Sequence, residues 1–394
     1  MRVRLLDLGE QYRALSKEIR AATDEVLASQ RFILGPQLAE FEKAAAEYCR
    51  APHAIGVSSG TDALLAVLMA LEIGMGEAVI TTAYSFFATA GCIARLGATP
   101  SFIDIDPHTY NISASGLRHY IDNRCQLLEG RLVNENRQLI RALVPVHLFG
   151  LCCDMNEMRT IASEYGLVLI EDAAQAIGAE FPLDAGPAKA GTMSDAGCFS
   201  FYPSKNLGAA GDAGLIVCQH DEFAERLRRC RQHGMETQYR HEFIGGNFRM
   251  DELQAAILRV KLPHLDRWSA ARREAAKFYT NEFRRLGLEK MIGLPIEPYA
   301  DRKMHNHHIY HQYIVRTSKR DHLRQYLTEH EIETAIYYPL ALPEQPCFEY
   351  LGHKTGDFPE AERAARETLA LPIYPEISRE AQQYVINCVA QFFG

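Results

Sequence analysis

Between residues 54 and 219, short apolar segments alternate with segments of helical period, and this alternation constrains the fold most. Strands are predicted at 54–57, 77–82, 99–106, 141–150, 167–172, 198–203 and 214–219. Helices are predicted between several of them, including 87–97 and 154–166. Alternating strands and helices favour a mostly parallel sheet that is covered on both faces, so the sequence predicts an α/β fold.

The pattern changes after residue 219 and becomes mainly helical. Residues 250–287 form a long helical pattern interrupted at Pro263, followed by a short strand at 311–317 and helices at 318–331 and from Ser378. An amphipathic helix is also predicted at 10–29. For 394 residues this favours two units, a large α/β domain of residues 1–255 and a smaller C-terminal α+β domain of residues 256–394.

Composition excludes several classes of function. The net charge of −8 leaves no basic surface for nucleic acid, so we expect no such partner. No apolar run approaches the roughly 18 residues of a membrane span, and the opening MRVRLLDLGEQYRAL lacks the apolar core of a signal peptide. The ten cysteines form no Cys-x-x-Cys pair. We therefore expect a cytoplasmic protein without a membrane contact or a metal site.

Three positions that can carry chemistry follow predicted strands. Asp172 ends one strand, Lys205 follows another, and Ser-Ser-Gly-Thr at 58–61 opens a helix after a third. Ligands of parallel sheets bind beyond the carboxyl ends of strands, and a helix N-terminus can hold phosphate. Each position alone is also typical of a solvated turn, a solvated lysine or a helix cap. Together they match the needs of pyridoxal phosphate (PLP): a Schiff-base lysine, a carboxylate beside the ring nitrogen and a phosphate cradle.

Five motifs carry a resemblance over nearly the whole chain: SSGTDAL (58–64), VPVHLFG (144–150), IEDAAQAIGA (170–179), SFYPSKNLGAAGDAG (200–214) and GGNFRMDELQAA (245–256). In this order and at these spacings, the chain resembles the sugar aminotransferases of the DegT/DnrJ/EryC1/StrS family. The resemblance implies the aspartate-aminotransferase-like architecture (fold type I) of PLP-dependent transferases, with a large mixed-sheet domain. It also implies a homodimer whose active sites lie at the subunit interface.

The resemblance also implies roles for individual residues. Lys205 would form the Schiff base and move protons, with its pKa lowered by burial, and Asp172 would pair with the pyridinium nitrogen. Gln175 would bind the ring oxygen from the same face of a helix start. The remaining implied cofactor contacts are Gly60 and Thr61 at the phosphate, the Ser200 hydroxyl, Phe86 stacked on the ring, and Asn247 reaching the phosphate from the neighbouring subunit.

Six further residues are candidates for substrate contacts: His233, Tyr239, His241, Arg249, Tyr310 and Tyr338. A polar interface loop explains the first four equally well, and buried tyrosines are more often packing residues. The tract HNHHIYH at 305–311 has the composition of a metal site, but it lacks a suitably spaced acidic partner and is closer to a strand pattern.

Lysine at position 205, where some relatives carry histidine and act as dehydratases, favours transamination by resemblance. The resemblance implies transfer of the amino group of L-glutamate, which leaves as 2-oxoglutarate, to a nucleotide-linked 3-keto sugar. A UDP-3-keto-N-acetylhexosamine for lipid A or O-antigen synthesis is the first expectation. A dTDP-3-keto-6-deoxyhexose is the alternative. A hypothesis from another class is a regulator that binds PLP without turnover.

Overall fold

The computed structural model describes residues 1–394. Its helices are α1 (Gly9–Ser29), α2 (Pro36–Cys49), α3 (Gly60–Ala70), α4 (Ala88–Arg95), α5 (Ala114–Arg124), α6 (Met155–Tyr165), α7 (Asp221–Cys230), α8 (Glu252–Lys261), α9 (Leu265–Arg285), α10 (Arg320–Glu329), α11 (Pro359–Glu367) and α12 (Arg379–Phe393). No helix is both long enough and apolar enough to cross a membrane.

The strands are β1 (His53–Val57), β2 (Glu77–Thr82), β3 (Thr99–Ile103), β4 (Cys125–Leu128), β5 (Arg131–Asn134), β6 (Leu139–Val144), β7 (Val168–Asp172), β8 (Glu180–Leu183), β9 (Gly186–Lys189), β10 (Ala196–Ser200), β11 (Gly214–Cys218), β12 (Met235–Thr237), β13 (Arg240–His241), β14 (Tyr313–Arg316) and β15 (Thr368–Leu371). β6 ends earlier than the predicted strand at 141–150. Pro145 follows it directly, and proline has no N–H to donate to a ladder.

The predicted α/β sheet is confirmed as a large mixed sheet. Its strands run in the order β1-β11-β10-β7-β6-β2-β3, and the hairpin β4–β5 extends from β6. β11 is antiparallel to both of its neighbours, whereas the pairs from β10 to β3 are parallel. The carboxyl ends of β1, β7 and β10 therefore lie at the same edge of the sheet, which is the edge where ligands bind in such folds.

Both faces of the sheet are covered by hydrophobic cores. Along β2, Ala78 and Ile80 face one core, which also contains Phe41 of α2. Val79, between them, faces the other core, which contains most of α3. Burial on both faces explains why these strands are continuous apolar runs rather than alternating ones.

A further core belongs to the C-terminal part of the chain, where α9, α10, α12, β14 and β15 pack together. The change from one core to another falls within α9: Trp268 packs in the large core, and Ala275 packs in the C-terminal one. The predicted domain boundary at 255/256 falls inside α8, where Ala255 and Leu258 belong to the large core. The division into two domains stays a prediction.

Candidate active site

A cavity of about 530 Å³ opens at the carboxyl ends of β1, β7 and β10. We call it the strand-end pocket. Seven of the residues predicted for the cofactor line it: Gly60, Thr61, Phe86, Asp172, Gln175, Ser200 and Lys205. The convergence follows from the topology, because parallel strands bring residues that are far apart in sequence to one edge.

The N-terminus of α3 forms one end of the pocket. The Ser59 side chain caps this helix by accepting a hydrogen bond from the N–H of Asp62 at 3.0 Å. The N–H groups of Gly60 and Thr61 have no acceptor within the protein. Two free amides at a helix N-terminus, where the dipole is positive, fit a phosphate group.

Gly60 and Ser200 are in close contact at this end of the pocket. A Cβ at position 60 would lie 2.7 Å from Cβ of Ser200, closer than side-chain carbons approach. The close approach of Ser200 therefore needs glycine at position 60. The free amides and the neighbouring Ser200 hydroxyl form a cradle of donors that fits the phosphate of PLP.

Asp172 and Lys205 are two of the three charged residues that line the pocket, and Asp212 is the third. Asp172 is 4% exposed, and its carboxylate accepts hydrogen bonds from the Thr89 hydroxyl at 2.7 Å and from the N–H of Ala174 at 3.1 Å. Burial raises the pKa of Asp172, against the effect of both hydrogen bonds. Burial lowers the pKa of Lys205 to about 8, while the negative charge of Asp172 opposes that shift. Lys205 is thus close to the balance between ammonium and amine that a proton-transfer group needs.

The Gln175 side chain is held by two hydrogen bonds. Its Oε1 accepts from the N–H of Phe149 at 2.7 Å, and its Nε2 donates to the Tyr338 hydroxyl at 2.9 Å. These bonds fix the amide orientation, and they leave a second N–H of Nε2 for a ring oxygen.

The expected helix start after Asp172 was wrong. Residues 173–179 form two successive turns, closed by hydrogen bonds from the N–H of Ala176 to Ala173 and from the N–H of Ala179 to Ala176. Gly178 adopts a φ of +85° in the second turn, which favours glycine and does not continue a helix. The turns place Gln175 in the pocket all the same.

Tyr338, predicted as a substrate contact, lines the pocket from the C-terminal part of the chain. Its ring lies 6.0 Å from that of Phe86, centroid to centroid. Phe86 is 56% exposed and so presents a free ring face. An aromatic side chain in this position can stack on a flat cofactor ring.

Tyr310 does not line the pocket. Its ring is buried in the C-terminal core and stacks on His308 at 3.8 Å. Its hydroxyl donates a hydrogen bond to Glu297 at 2.8 Å. The structure therefore places Tyr310 as a packing residue, the alternative that its sequence left open.

Sequence reasoning missed several residues of the pocket, including Tyr202, His311, Gln312 and Tyr337. His311 is buried, its Nδ1 lies 3.1 Å from Oδ1 of Asn206, and burial holds its pKa well below the usual range. The sequence did carry a signal for His311, because this residue belongs to the histidine tract at 305–311 that was considered as a metal site. No group of three potential metal ligands occurs in the structure.

The other predicted residues lie on residues 231–249, which we call the arm. Here β12 and β13 form a short hairpin, and Nδ1 of His241 lies 3.0 Å from the carbonyl oxygen of His233. Tyr239 is 85% exposed. None of His233, Tyr239, His241, Asn247 and Arg249 lines the pocket of the same chain.

The end of the arm nevertheless lies beside the phosphate cradle. The backbone of Arg249 bridges to Val57, and the carbonyl of Phe248 accepts a hydrogen bond from the N–H of Ser58 at 2.9 Å. The roles predicted for the arm residues need a second chain and stay predictions.

The large mixed sheet, the lysine and aspartate at its strand ends and the cradle at α3 define the class of this protein: fold type I PLP-dependent enzymes. The model of the DegT/DnrJ/EryC1/StrS aminotransferase family matches residues 13–390. The chain belongs to this family.

Similar proteins cover almost the entire chain. A pleiotropic regulatory protein of Geobacillus stearothermophilus is 46% identical over 100% of this chain and 99% of its own length. A dTDP-3-amino-3,4,6-trideoxy-α-D-glucose transaminase of Streptomyces venezuelae is 39% identical, covering 99% and 96%. A UDP-N-acetyl-3-dehydro-α-D-glucosamine 3-aminotransferase of Acidithiobacillus ferrooxidans is 37% identical, covering 95% and 94%.

Similarity extends to solved structures. DesV of S. venezuelae, in complex with a ketimine intermediate, matches with a TM-score of 0.89 and 37% identity, covering 99% of this chain and 98% of that one. The resemblance stated from the motifs is confirmed, and the chain is an aminotransferase of this family.

Proposed function

We propose that this enzyme transfers the amino group of L-glutamate to carbon 3 of a nucleotide-linked 3-keto sugar, with PLP as cofactor. The observation that carries the proposal is the meeting of Lys205, Asp172 and the α3 cradle in one pocket. Two relatives whose names specify amino transfer at carbon 3 support the position of the ketone.

PLP, when bound, supplies an aldehyde for the amino group and a ring that accepts electrons. The Asp172 carboxylate would pair with the ring nitrogen and keep that nitrogen protonated, and the free N–H groups of Gly60 and Thr61 would bind the phosphate. Gln175 would donate its remaining N–H to the ring oxygen.

Lys205 acts twice in this scheme. Its amine would first hold the cofactor. Once that amine is free, Nζ would take the proton from the α-carbon of L-glutamate, which leaves as 2-oxoglutarate. The same Nζ would later deliver a proton to carbon 3 of the sugar. A pKa of about 8 suits both directions, because the amine and the ammonium forms are both populated around that pH.

The partner subunit completes the proposed site. The pocket of one chain contains no residue of the arm, and the arm carries exposed polar candidates for substrate binding. We therefore propose a homodimer in which Asn247 contacts the phosphate bound by the other chain, with His233, Tyr239, His241 and Arg249 near the sugar diphosphate.

The sugar half-reaction, run in reverse from an amino sugar, tests which sugar is the acceptor. Holoenzyme is mixed with a UDP-3-amino-N-acetylhexosamine and, separately, with a dTDP-3-amino-6-deoxyhexose, and the visible absorbance of the bound cofactor is followed. The UDP sugar is the first candidate, for an envelope glycan such as lipid A or O-antigen. A response to the dTDP sugar alone would replace it. A response to glutamate and to neither sugar would reject the 3-keto acceptor.

A regulator without turnover is the second candidate, favoured by the name of the relative from G. stearothermophilus. All three groups needed for turnover, Lys205, Asp172 and Gln175, lie together in the pocket, which a regulator would not require. Failure of holoenzyme to react with glutamate or with any amino sugar would favour this regulator.

A further inference from the structure

Glu171 and His147 form a buried pair directly behind the strand that carries Asp172. Successive side chains of a strand point to opposite faces, so Glu171 points away from the pocket that Asp172 enters. Both side chains are 0% exposed, and Nε2 of His147 lies 2.8 Å from Oε2 of Glu171. Neither residue lines the pocket.

The Glu171 carboxylate is fully hydrogen-bonded. Oε1 accepts from the N–H of Met193 at 2.7 Å and from the Ser194 hydroxyl at 2.8 Å. Oε2 accepts from the N–H of Gly191 at 2.7 Å and from His147. No lysine or arginine is paired with it. A buried carboxylate is stable without a counter-ion only when such donors surround it, so each bond constrains the strand.

His147 contacts both residues at the end of β7. Its Nδ1 accepts a hydrogen bond from the N–H of Cys153 at 3.1 Å, so the ring proton is on Nε2 and is donated to Glu171. Its main-chain N–H donates to the carbonyl of Asp172 at 3.0 Å. The N–H of Asp172 in turn donates to Pro145 at 2.9 Å. One residue thus fixes the backbone of Asp172 and the side chain of its neighbour.

We propose that His147 and Glu171 are positioning residues that hold the Asp172 carboxylate at the ring nitrogen of the cofactor. The inference rests on the proposed function, since it assumes that PLP occupies the pocket. Asp172 has only two side-chain hydrogen bonds of its own, to Thr89 and Ala174, so its direction depends on where the strand ends. The pair behind the strand sets that end.

The chain offers a matched control for Glu171. Glu180 is also a buried carboxylate, and it accepts hydrogen bonds from the N–H groups of His305 at 2.8 Å and Asn306 at 3.1 Å. It does not line the pocket. Both oxygens of Glu171 accept backbone N–H groups, so Glu171→Gln places an amide N–H against a backbone N–H in either orientation. Both bonds of Glu180 go to Oε2, so Glu180→Gln keeps them through its amide oxygen and lowers stability by removing the attraction between this buried charge and Lys189.

The test is a titration of the apo forms with PLP, followed by visible absorbance, with thermal unfolding of the same apo samples. We expect Glu171→Gln to weaken PLP binding about tenfold, as loss of outer hydrogen-bond partners does at metal sites. We also expect it to shift the absorbance maximum of bound PLP, because the contact with the ring nitrogen changes. Glu180→Gln should lower the unfolding temperature and change neither quantity.

Three further variants keep the test decisive if Glu171→Gln does not fold. Ser194→Ala removes one of the four donors and should weaken PLP binding in the same direction. His147→Gln, whose amide can donate to Glu171, should bind PLP more tightly than His147→Ala. Normal PLP affinity and absorbance in a folded Glu171→Gln or Ser194→Ala protein would overturn the inference. So would an equal loss in Glu180→Gln. If the wild-type protein itself does not bind PLP, the proposed function fails instead.

Discussion

The strand-end pocket and the arm hold their candidate residues in opposite ways. Asp172 is 4% exposed and is tied by hydrogen bonds to residues of α4 and of the following turn. Tyr239, on the arm, is 85% exposed and sits at a positive φ of 65°. The contrast teaches that one chain is sufficient to fix the carboxylate proposed for the ring nitrogen. Of the arm residues proposed for the sugar, His233, Tyr239 and His241 remain exposed on a single chain.

The largest expected effect is the loss of reaction rate in Lys205→Ala, which removes the proposed proton-transfer group from the strand-end pocket. The rate of the half-reaction with L-glutamate should fall about 10²- to 10⁴-fold, measured from the visible absorbance of the cofactor. Lys189→Ala is the control, because Lys189 is also buried, with Nζ 3.5 Å from the Tyr48 ring, and lies outside the pocket. An unchanged rate in Lys205→Ala would show that the pocket is not the reaction centre.

Mixing two inactive variants tests whether the arm acts on the partner. Asn247→Ala and Lys205→Ala should each be poorly active alone. Subunits exchanged at random should recover about a quarter of the activity, because half of the dimers are mixed and one site in each is intact. Lack of recovery in dimers proved to be mixed would place Asn247 with the pocket of its own chain.

Gly60→Ala tests how tightly the cradle is built. The new Cβ would lie 2.7 Å from Cβ of Ser200, and such overpacking costs about 1–3 kcal/mol of unfolding free energy. PLP affinity should fall as well, since the free amides move. Gly74→Ala is the control, because a Cβ there meets its nearest atom at 3.6 Å. Urea unfolding and PLP titration give both quantities, and equal behaviour of the two variants would contradict the close contact.

The smallest expected effect is on the pH dependence of PLP capture. The Lys205 amine of the apo protein is neutral above its pKa of about 8, so the rate of PLP capture should rise as the pH increases through that value and then level off. In Asp172→Asn the rise should occur at lower pH, because the negative charge that raises the lysine pKa is gone. The measurement is the initial rate of the absorbance change. A rise centred at about pH 10.4, the ordinary pKa of lysine, would mean that the Lys205 amine is exposed to solvent.

Much of the fold was readable from the sequence because the sheet is buried on both faces. Continuous apolar runs ending at Asp172 and just before Lys205 located the strands and the two charged groups. The sequence could not show that β11 runs antiparallel to β1 and β10, because a buried strand has the same apolar pattern in either direction. Nor could the two turns around Gln175, since their hydrogen bonds lie within a segment that has no clear period.

The pocket residues that were missed in the C-terminal part of the chain share a physical reason. His311 and Tyr337 come from segments near the C-terminal core, and tertiary packing alone brings them to the sheet edge. His311 was visible as part of a histidine tract, but histidine spacing cannot distinguish a metal ligand from a buried neutral ring. The arm residues were recognised only through the family resemblance, and the contacts proposed for them involve a second chain.

The origin of the pocket in two separate stretches of the chain has a consequence for engineering. Its base comes from residues 59–212, and part of its wall comes from residues 311–312 and 337–338. Random libraries confined to those wall positions, leaving out Tyr338 because it holds Gln175, would vary the shape offered to a sugar and leave every hydrogen bond of Asp172 in place. Substrate preference could then be evolved in the laboratory without first rebuilding the catalyst.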